Sequence, residues 1–245
     1  MIRVHILATC LVPARIYSLL LVFKTLRVGF PTDQILIYGN NLDERIIPHL
    51  KKVMDDGMDF INIPPIAHGE WIEKLMVSEP GPFWICDTDI VFFDQVQDWK
   101  WDGLFAGRYE PGFFEPWTKT FHMSRLHPSL MWLNPVPLRT AIRSWPGKNA
   151  FFDTVESGLF RWHWVPEFGQ PLKFYDTCAG LHHAFKGVAF TDEQDQSFAH
   201  LMCGSYGHLI KSHKNITMEC YHNQELARPL LSHQKSWYLE HEKQP

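Results

Sequence analysis

Asp87-Thr88-Asp89 is the segment whose residue types and spacing are best suited to chemistry. It follows Phe83-Trp84-Ile85-Cys86 directly and leads into Ile90-Val91-Phe92-Phe93. Carboxylates are costly to bury, so two of them between apolar runs call for a counter-charge. If the strand continues through the triplet, period-two alternation puts Asp87 and Asp89 on one face. A divalent cation with oxygen ligands meets that need: Mn2+ or Mg2+, held by one or two carboxylates and completed by phosphate oxygens of a substrate. Such an ion neutralises a diphosphate leaving group as its bond to a sugar breaks. The plain alternative is an acidic surface turn, which the apolar flanks oppose.

The elements that must position this triplet are legible upstream. Val4–Ala8 reads as a strand, Pro13–Leu26 as a helix closed by Gly29-Phe30-Pro31, and Gln34–Tyr38 as a strand stopped by Gly39-Asn40-Asn41. Leu42–Met54 reads as a helix that Pro48 kinks or restarts. Phe60–Ile63 is a third strand, Gly69–Ser78 a helix, and Phe83–Cys86 a fourth strand ending at Asp87. Strand and helix alternate, which implies an α/β fold: a mostly parallel mixed sheet with helices on both faces. In such sheets ligands bind beyond the carboxyl ends of the strands. Further on, Leu104–Gly107 and Ser129–Leu133 read as strands, Asp176–Lys186 and Asp192–Cys203 as helices, and Ile216–Tyr221 as a last strand. The stretches from Arg108 to His127 and from Phe160 to Pro171, rich in aromatics and Pro, read as long functional loops, the first as a lid over an acceptor. The whole chain reads as a single domain: a nucleotide-binding half over about residues 1–100, an acceptor-side half over about 101–235, and a loose tail over 236–245.

The run Phe83-Trp84-Ile85-Cys86-Asp87-Thr88-Asp89-Ile90-Val91-Phe92 resembles the DxD segment of the GT-A-fold nucleotide-diphospho-sugar glycosyltransferases. Asp102–Gly107 is similar to the strand that follows the DxD, and Asp195-Gln196-Ser197-Phe198-Ala199-His200 resembles the Asp-Gln helix of retaining, glycogenin-like members. His127-Pro128 stands where many members carry Asn-Ser-Gly, and His200 where retaining members often carry Asn, so inversion and retention both stay open. The resemblance implies a GT-A-like, Rossmann-like domain and a hexosyl- or related transferase. It would take a nucleotide-diphosphate-sugar donor and an acceptor that is a glycan, a lipid-linked sugar, a protein or a small molecule. It places Thr9, Cys10, Asn40 and Asn41 at the base and ribose, Lys74 toward the donor, and Asp87 and Thr88 at the diphosphate. It also implies a His from the C-terminal end as a third ligand beside Asp87 and Asp89. His222, just after Ile216–Tyr221, is the expected one and His233 its competitor. Imidazole favours Mn2+ over Mg2+.

Each of these residues has a structural reading too. Asn40 and Asn41 suit a turn with positive φ, and Lys74 suits a solvated helix face. Thr191 and Gln194 form a capping-box pattern in which Asp192 and Glu193 serve the positive helix end. Asp195 lies beyond the cap and is the preferred catalytic carboxylate, as a base toward the acceptor or as a stabiliser beneath the sugar. Trp99, Trp101, Trp117, Trp162 and Trp164 suit either sugar faces or packing.

Other classes fit less well. Asp87-Thr88-Asp89-Ile90-Val91 also matches a haloacid-dehalogenase-type phosphohydrolase, but three strand-like runs precede it and no later acidic pair completes that site. Leu7–Val12 lacks the Gly-rich loop of a pyrophosphorylase. A non-catalytic sugar-nucleotide binder remains an alternative. A formal net charge of −4 without a Lys/Arg cluster argues against nucleic acid. His182-His183 are adjacent and no His-Glu-x-x-His occurs, which opposes a zinc protease site. The five cysteines form no C-x-x-C pair, which points to a reducing, cytoplasmic setting, and no apolar run reaches the length of a transmembrane segment.

Overall fold

The computed structural model describes residues 2–9, 16–42, 44–145, 159–166 and 171–200. In chain order its elements are β1 (Arg3–Ala8), α1 (Ile16–Gly29), β2 (Gln34–Asn40), α2 (Ile47–Lys51), β3 (Met58–Ile63), α3 (His68–Ser78), β4 (Phe83–Cys86) and β5 (Ile90–Phe92). They continue with β6 (Phe105–Glu110), β7 (Phe113–Glu115), β8 (Thr120–His122), β9 (Arg125–Leu133), α4 (Pro135–Ser144), β10 (His163–Val165) and β11 (Leu172–Tyr175). A helix Ala179–Phe185 (α5), β12 (Val188–Ala189), a single turn Asp192–Asp195 (α6) and β13 (Phe198–His200) complete the described chain. A seven-stranded, mostly parallel mixed sheet has the order β12-β6-β9-β4-β1-β2-β3. No helix among the described residues is long and apolar enough to cross a membrane.

The described residues divide into two compact units. The first takes those up to Pro65, Ile85–Lys100 and those from Thr191 onward. Its core is the parallel ladder β1–β2–β3, in register as Val4↔Ile35 and Ile37↔Phe60. Val4, Ile6, Ile35 and Ile37 are fully buried there, and α1 adds Leu19, Val22, Phe23 and Leu26. β-Branched residues dominate because a strand covered on both faces favours them. Gly39 and Asn40 extend β2 rather than ending it, because the neighbouring strands hold partners for them: Ala8↔Gly39 and Asn40↔Ile63. The helix expected over Leu42–Met54 shrinks to Ile47–Lys51, with Pro48 in its first turn, where a missing N–H does no harm.

The second unit takes Ile66–Trp84 and the described residues of Trp101–Phe190. Its core includes an aromatic cluster in which Trp101 lies 5.3 Å from Trp84, 5.5 Å from Trp132 and 5.5 Å from Phe190 between ring centroids. Packing is therefore the role of Trp101. β6 and β9 pair antiparallel, and their register shifts between Gly107 and Arg108. Pro128 has no N–H to give a ladder, and a bulge there is the expected result. The long loop expected over Arg108–His127 is not a loop. It is the end of β6, the hairpin β7–β8 and the start of β9, with β7 and β8 in a second sheet of order β10-β11-β8-β7. Pro111-Gly112 and Pro116 fall between strands, where turns need them, while the aromatics form the strands.

Candidate metal centre

β5 is a short strand fixed to the end of α1. Thr25 Oγ1 donates to the Val22 carbonyl at 3.2 Å and accepts from the Phe92 N–H at 3.2 Å. The Phe92 ring lies against Gly29 so closely that a Cβ on Gly29 would come within 2.5 Å of it. Phe30 meets the same ring edge-on at 5.3 Å. The Gly29 carbonyl then accepts from the Val96 N–H at 2.9 Å, which holds the chain after β5 to the same helix end.

β13 is placed by β5 in turn. The two pair antiparallel with Phe198↔Phe92, Ala199↔Val91 and His200↔Ile90. The Phe93 N–H extends the pairing to the Ser197 carbonyl at 2.8 Å. His200 therefore stands opposite the residue that follows Asp89. This corrects the expected helix over Asp192–Cys203: among its described residues only Asp192–Asp195 is helical, and 198–200 is a strand. Long-range pairing has overridden local helical preference.

The triplet itself is a turn. β4 stops at Cys86, Thr88 and Asp89 turn, and β5 starts at Ile90. Alternation along one continuous strand is thus not what brings the carboxylates together. Asp87, Asp89 and His200 offer ligand atoms that all lie within 4.8 Å of one another. His200 Nε2 is 3.2 Å from Asp89 Oδ1, and the side chains of both are almost fully enclosed, 11% and 5% exposed. Ligands on adjacent vertices of an octahedron with bonds of about 2.1 Å lie about 3 Å apart, so this N–O separation suits two ligands of one ion. Two hard carboxylates and one imidazole fit Mn2+ in particular among divalent ions of oxygen-rich sites. Cys86, which precedes the triplet, is fully buried, and its thiol points to the Asp87 carbonyl at 3.3 Å. Burial first, and then the charges of Asp87 and Asp89, push its pKa well above the ordinary thiol value.

The other expected site residues divide as follows. Thr9 and Asn40 meet at the carboxyl ends of the parallel strands β1 and β2, where Asn40 Nδ2 donates to Thr9 Oγ1 at 3.1 Å. Asn41 has φ 54°, the left-handed conformation that its turn reading predicts. Thr88 sits in the turn between the two aspartates. Lys74 is largely exposed on α3 and pairs with Glu70 at 3.3 Å, one helical turn away. Asp192 and Glu193 are exposed on α6, whose capping box is complete: the Gln194 N–H donates to Thr191 Oγ1 at 3.2 Å and the Thr191 N–H to Gln194 Oε1 at 3.0 Å. Asp195 is half-buried at the end of that turn. Cys10, His222 and His233 lie outside the described residues. His200 was not among the expected ligands. No alternation in Phe198-Ala199-His200 marks the strand, and only the pairing with β5 places it.

No family model matches the chain, and no curated protein does. Among solved structures the chain is similar to the galactosyltransferase LgtC in complex with donor and acceptor sugar analogues: 10% identity, TM-score 0.47, over 78% of this chain and 74% of that one. It is also similar to the apo bifunctional glycosyltransferase WbbM, with 10% identity and TM-score 0.49 over 78% of this chain and 38% of WbbM. A third is the glycosyltransferase GlyE of Streptococcus pneumoniae TIGR4, with 12% identity and TM-score 0.44 over 79% of this chain and 46% of GlyE. The chain thus spans less than half the length of WbbM or GlyE. At scores below 0.5 such likenesses assign neither activity nor site.

Proposed function

We propose that this chain is a metal-dependent glycosyltransferase of GT-A type, read as one domain, that moves a sugar from a nucleotide-diphosphate-sugar donor to an acceptor. The observation that carries the reading is the enclosed cluster of Asp87, Asp89 and His200 in a turn directly after a buried strand. Asp87, Asp89 and His200 would hold Mn2+, or Mg2+ in its absence, and the ion supplies positive charge against the donor diphosphate. Thr9, Asn40, Asn41 and Cys10 are the residues we assign to the nucleoside, and Thr88 to the diphosphate. Lys74 is retained as a donor contact of lower rank, since Glu70 already engages it. His222 is retained as a further candidate ligand. Asp195 is the carboxylate we assign to the transfer step, either taking the acceptor proton or stabilising positive charge on the sugar. Asp192 and Glu193 support the helix end. The buried cysteines Cys86 and Cys178 are in keeping with a reducing, cytoplasmic setting.

A screen of UDP-, GDP- and CDP-sugars by thermal shift, with and without Mn2+, tests the reading. A donor that stabilises the protein only with Mn2+, followed by release of nucleoside diphosphate on adding an acceptor mixture, is the expected result. Stabilisation without any turnover would make the chain a sugar-nucleotide binder. Turnover of phosphate monoesters with no response to nucleotide-sugars would make it a phosphohydrolase.

A further inference from the structure

Among the described residues, every exposed Phe, Tyr or Trp lies between Tyr109 and Trp164, in the second unit. The registers of the four-stranded sheet arrange part of this set in a row. Phe113 pairs with His122, His122 with Phe174 and Phe174 with Trp164, so these side chains share one face and cross all four strands. The rings touch in sequence. Phe113 and His122 are stacked at 4.3 Å, His122 meets Phe174 at 5.3 Å, and Phe174 meets Trp164 at 4.4 Å. Trp162 joins at 6.4 Å from Phe174. The row is not covered at its Trp end, where Trp162 is 59% and Trp164 45% exposed.

The same face carries a carboxylate beside the rings. Glu115 lies two residues along from Phe113, is part-exposed, and has its Oε2 3.7 Å from His122 Nε2, while its register partner Thr120 is buried. The register places no Lys or Arg on this face of the strands; Lys173 falls on the opposite one. A membrane surface would call for a basic cluster. Exposed, flat indole rings with the Glu115 carboxylate on the same face instead match a neutral pyranose, with its apolar C–H face and ring of hydroxyls.

We infer that this face of the small sheet is a carbohydrate-contact surface for the neutral sugar rings of an acceptor glycan, with Trp162 and Trp164 as its stacking platform. The choice of a glycan as occupant rests on the sugar-transfer reading above.

Intrinsic tryptophan fluorescence, titrated with maltohexaose, cellohexaose, chitohexaose and a β-galactan oligosaccharide, tests it. The full chain should bind at least one of them saturably. Trp162→Ala and Trp164→Ala should each weaken that binding about ten-fold, the equivalent of about 1.4 kcal/mol, while Trp164→Tyr should keep most of it. Phe121→Ala, on the opposite face, controls for loss of fold and should leave binding unchanged. Absence of binding to all four sugars overturns the inference. So does binding that both Trp variants retain, or binding to phosphatidylcholine vesicles in place of sugar. If glycan binding depends on Trp164 while no nucleotide-sugar binds with Mn2+, the transfer reading fails and this surface stands; the reverse result removes the surface alone.

Discussion

Replacing Asp89 with Asn should make the metal-free protein more stable and remove its response to Mn2+. Asp87 and Asp89 present oxygens within 4.8 Å of each other, and Asp89 is 4% exposed. Two like charges at that separation repel by about 3.5 kcal/mol at an effective dielectric of about 20. Asp87 is only partly buried and water screens it, so about 1–2 kcal/mol is the share expected to reach stability. His200 Nε2 lies 3.2 Å from Asp89 Oδ1, a contact that an Asn side-chain oxygen can also accept. Asn keeps the shape and drops the charge. In a chain of this size 1 kcal/mol moves Tm by about 2–4 °C. The EDTA-treated variant should therefore melt about 2–8 °C above the wild type at pH 8. Mn2+ at a hundred times its Kd should add about 2.7 kcal/mol to the wild type and nothing to the variant. Differential scanning fluorimetry of both proteins, with EDTA and with MnCl2, reads all four values. A variant that melts below the wild type in EDTA, or that still gains from Mn2+, refutes this reasoning.

Gly29→Ala should cost about 1–3 kcal/mol by overpacking, because the new Cβ would meet the Phe92 ring at 2.5 Å; it should also weaken Mn2+ binding through β5, which calorimetric titration would show. His5 is buried beside Tyr38, with Nδ1 3.1 Å from the phenol oxygen, and burial, then the charge of Arg3, pushes its pKa down to about 3. The unfolded chain then binds a proton at His5 that the folded chain does not. This part of the stability is complete above pH 6.5 and is lost as pH falls from about 6.5 toward 3, by about 2 kcal/mol at pH 5. Urea titrations at pH 8 and pH 5 check it, and His5→Gln should flatten the difference. Arg139 Nη1 donates to the Met76 carbonyl at 2.6 Å and to the Glu79 carbonyl at 3.1 Å, closing the C-terminal end of α3. Arg139→Ala should cost about 1.5–3 kcal/mol by equilibrium unfolding.

Local patterning accounts for what was readable. β1 to β4 are apolar runs bounded by Gly, Pro and Asn, and Phe83–Cys86 was placed to the residue because all four side chains are buried. The Asp pair was readable for the same reason: carboxylates after such a strand conflict with their surroundings unless a ligand resolves the conflict. Pro48 reads as a kink or a restart of a longer helix, and it stands in the first turn of a short one. Over Arg108–His127, Pro and Gly were given more weight than Phe113, Phe114 and Phe121, whose β preference decided the outcome. The sequence does not show His200 as a ligand because its position depends on β13 pairing with β5, more than a hundred residues earlier, and no local period records that pairing. Phe174 and Trp164 lie 61 and 51 residues after Phe113, so the aromatic row emerges only from the registers.

The central claim is that Asp87, Asp89 and His200 hold one ion against a donor diphosphate. Calorimetric titration of the nucleotide-sugar selected by the donor screen, into wild type and into His200→Ala, with Mn2+ and with EDTA, tests it most directly. Binding of one donor per chain that requires Mn2+ in the wild type and is lost in folded His200→Ala is the predicted result. Donor binding that is equal with Mn2+ and with EDTA, or that survives unchanged in His200→Ala, would contradict it.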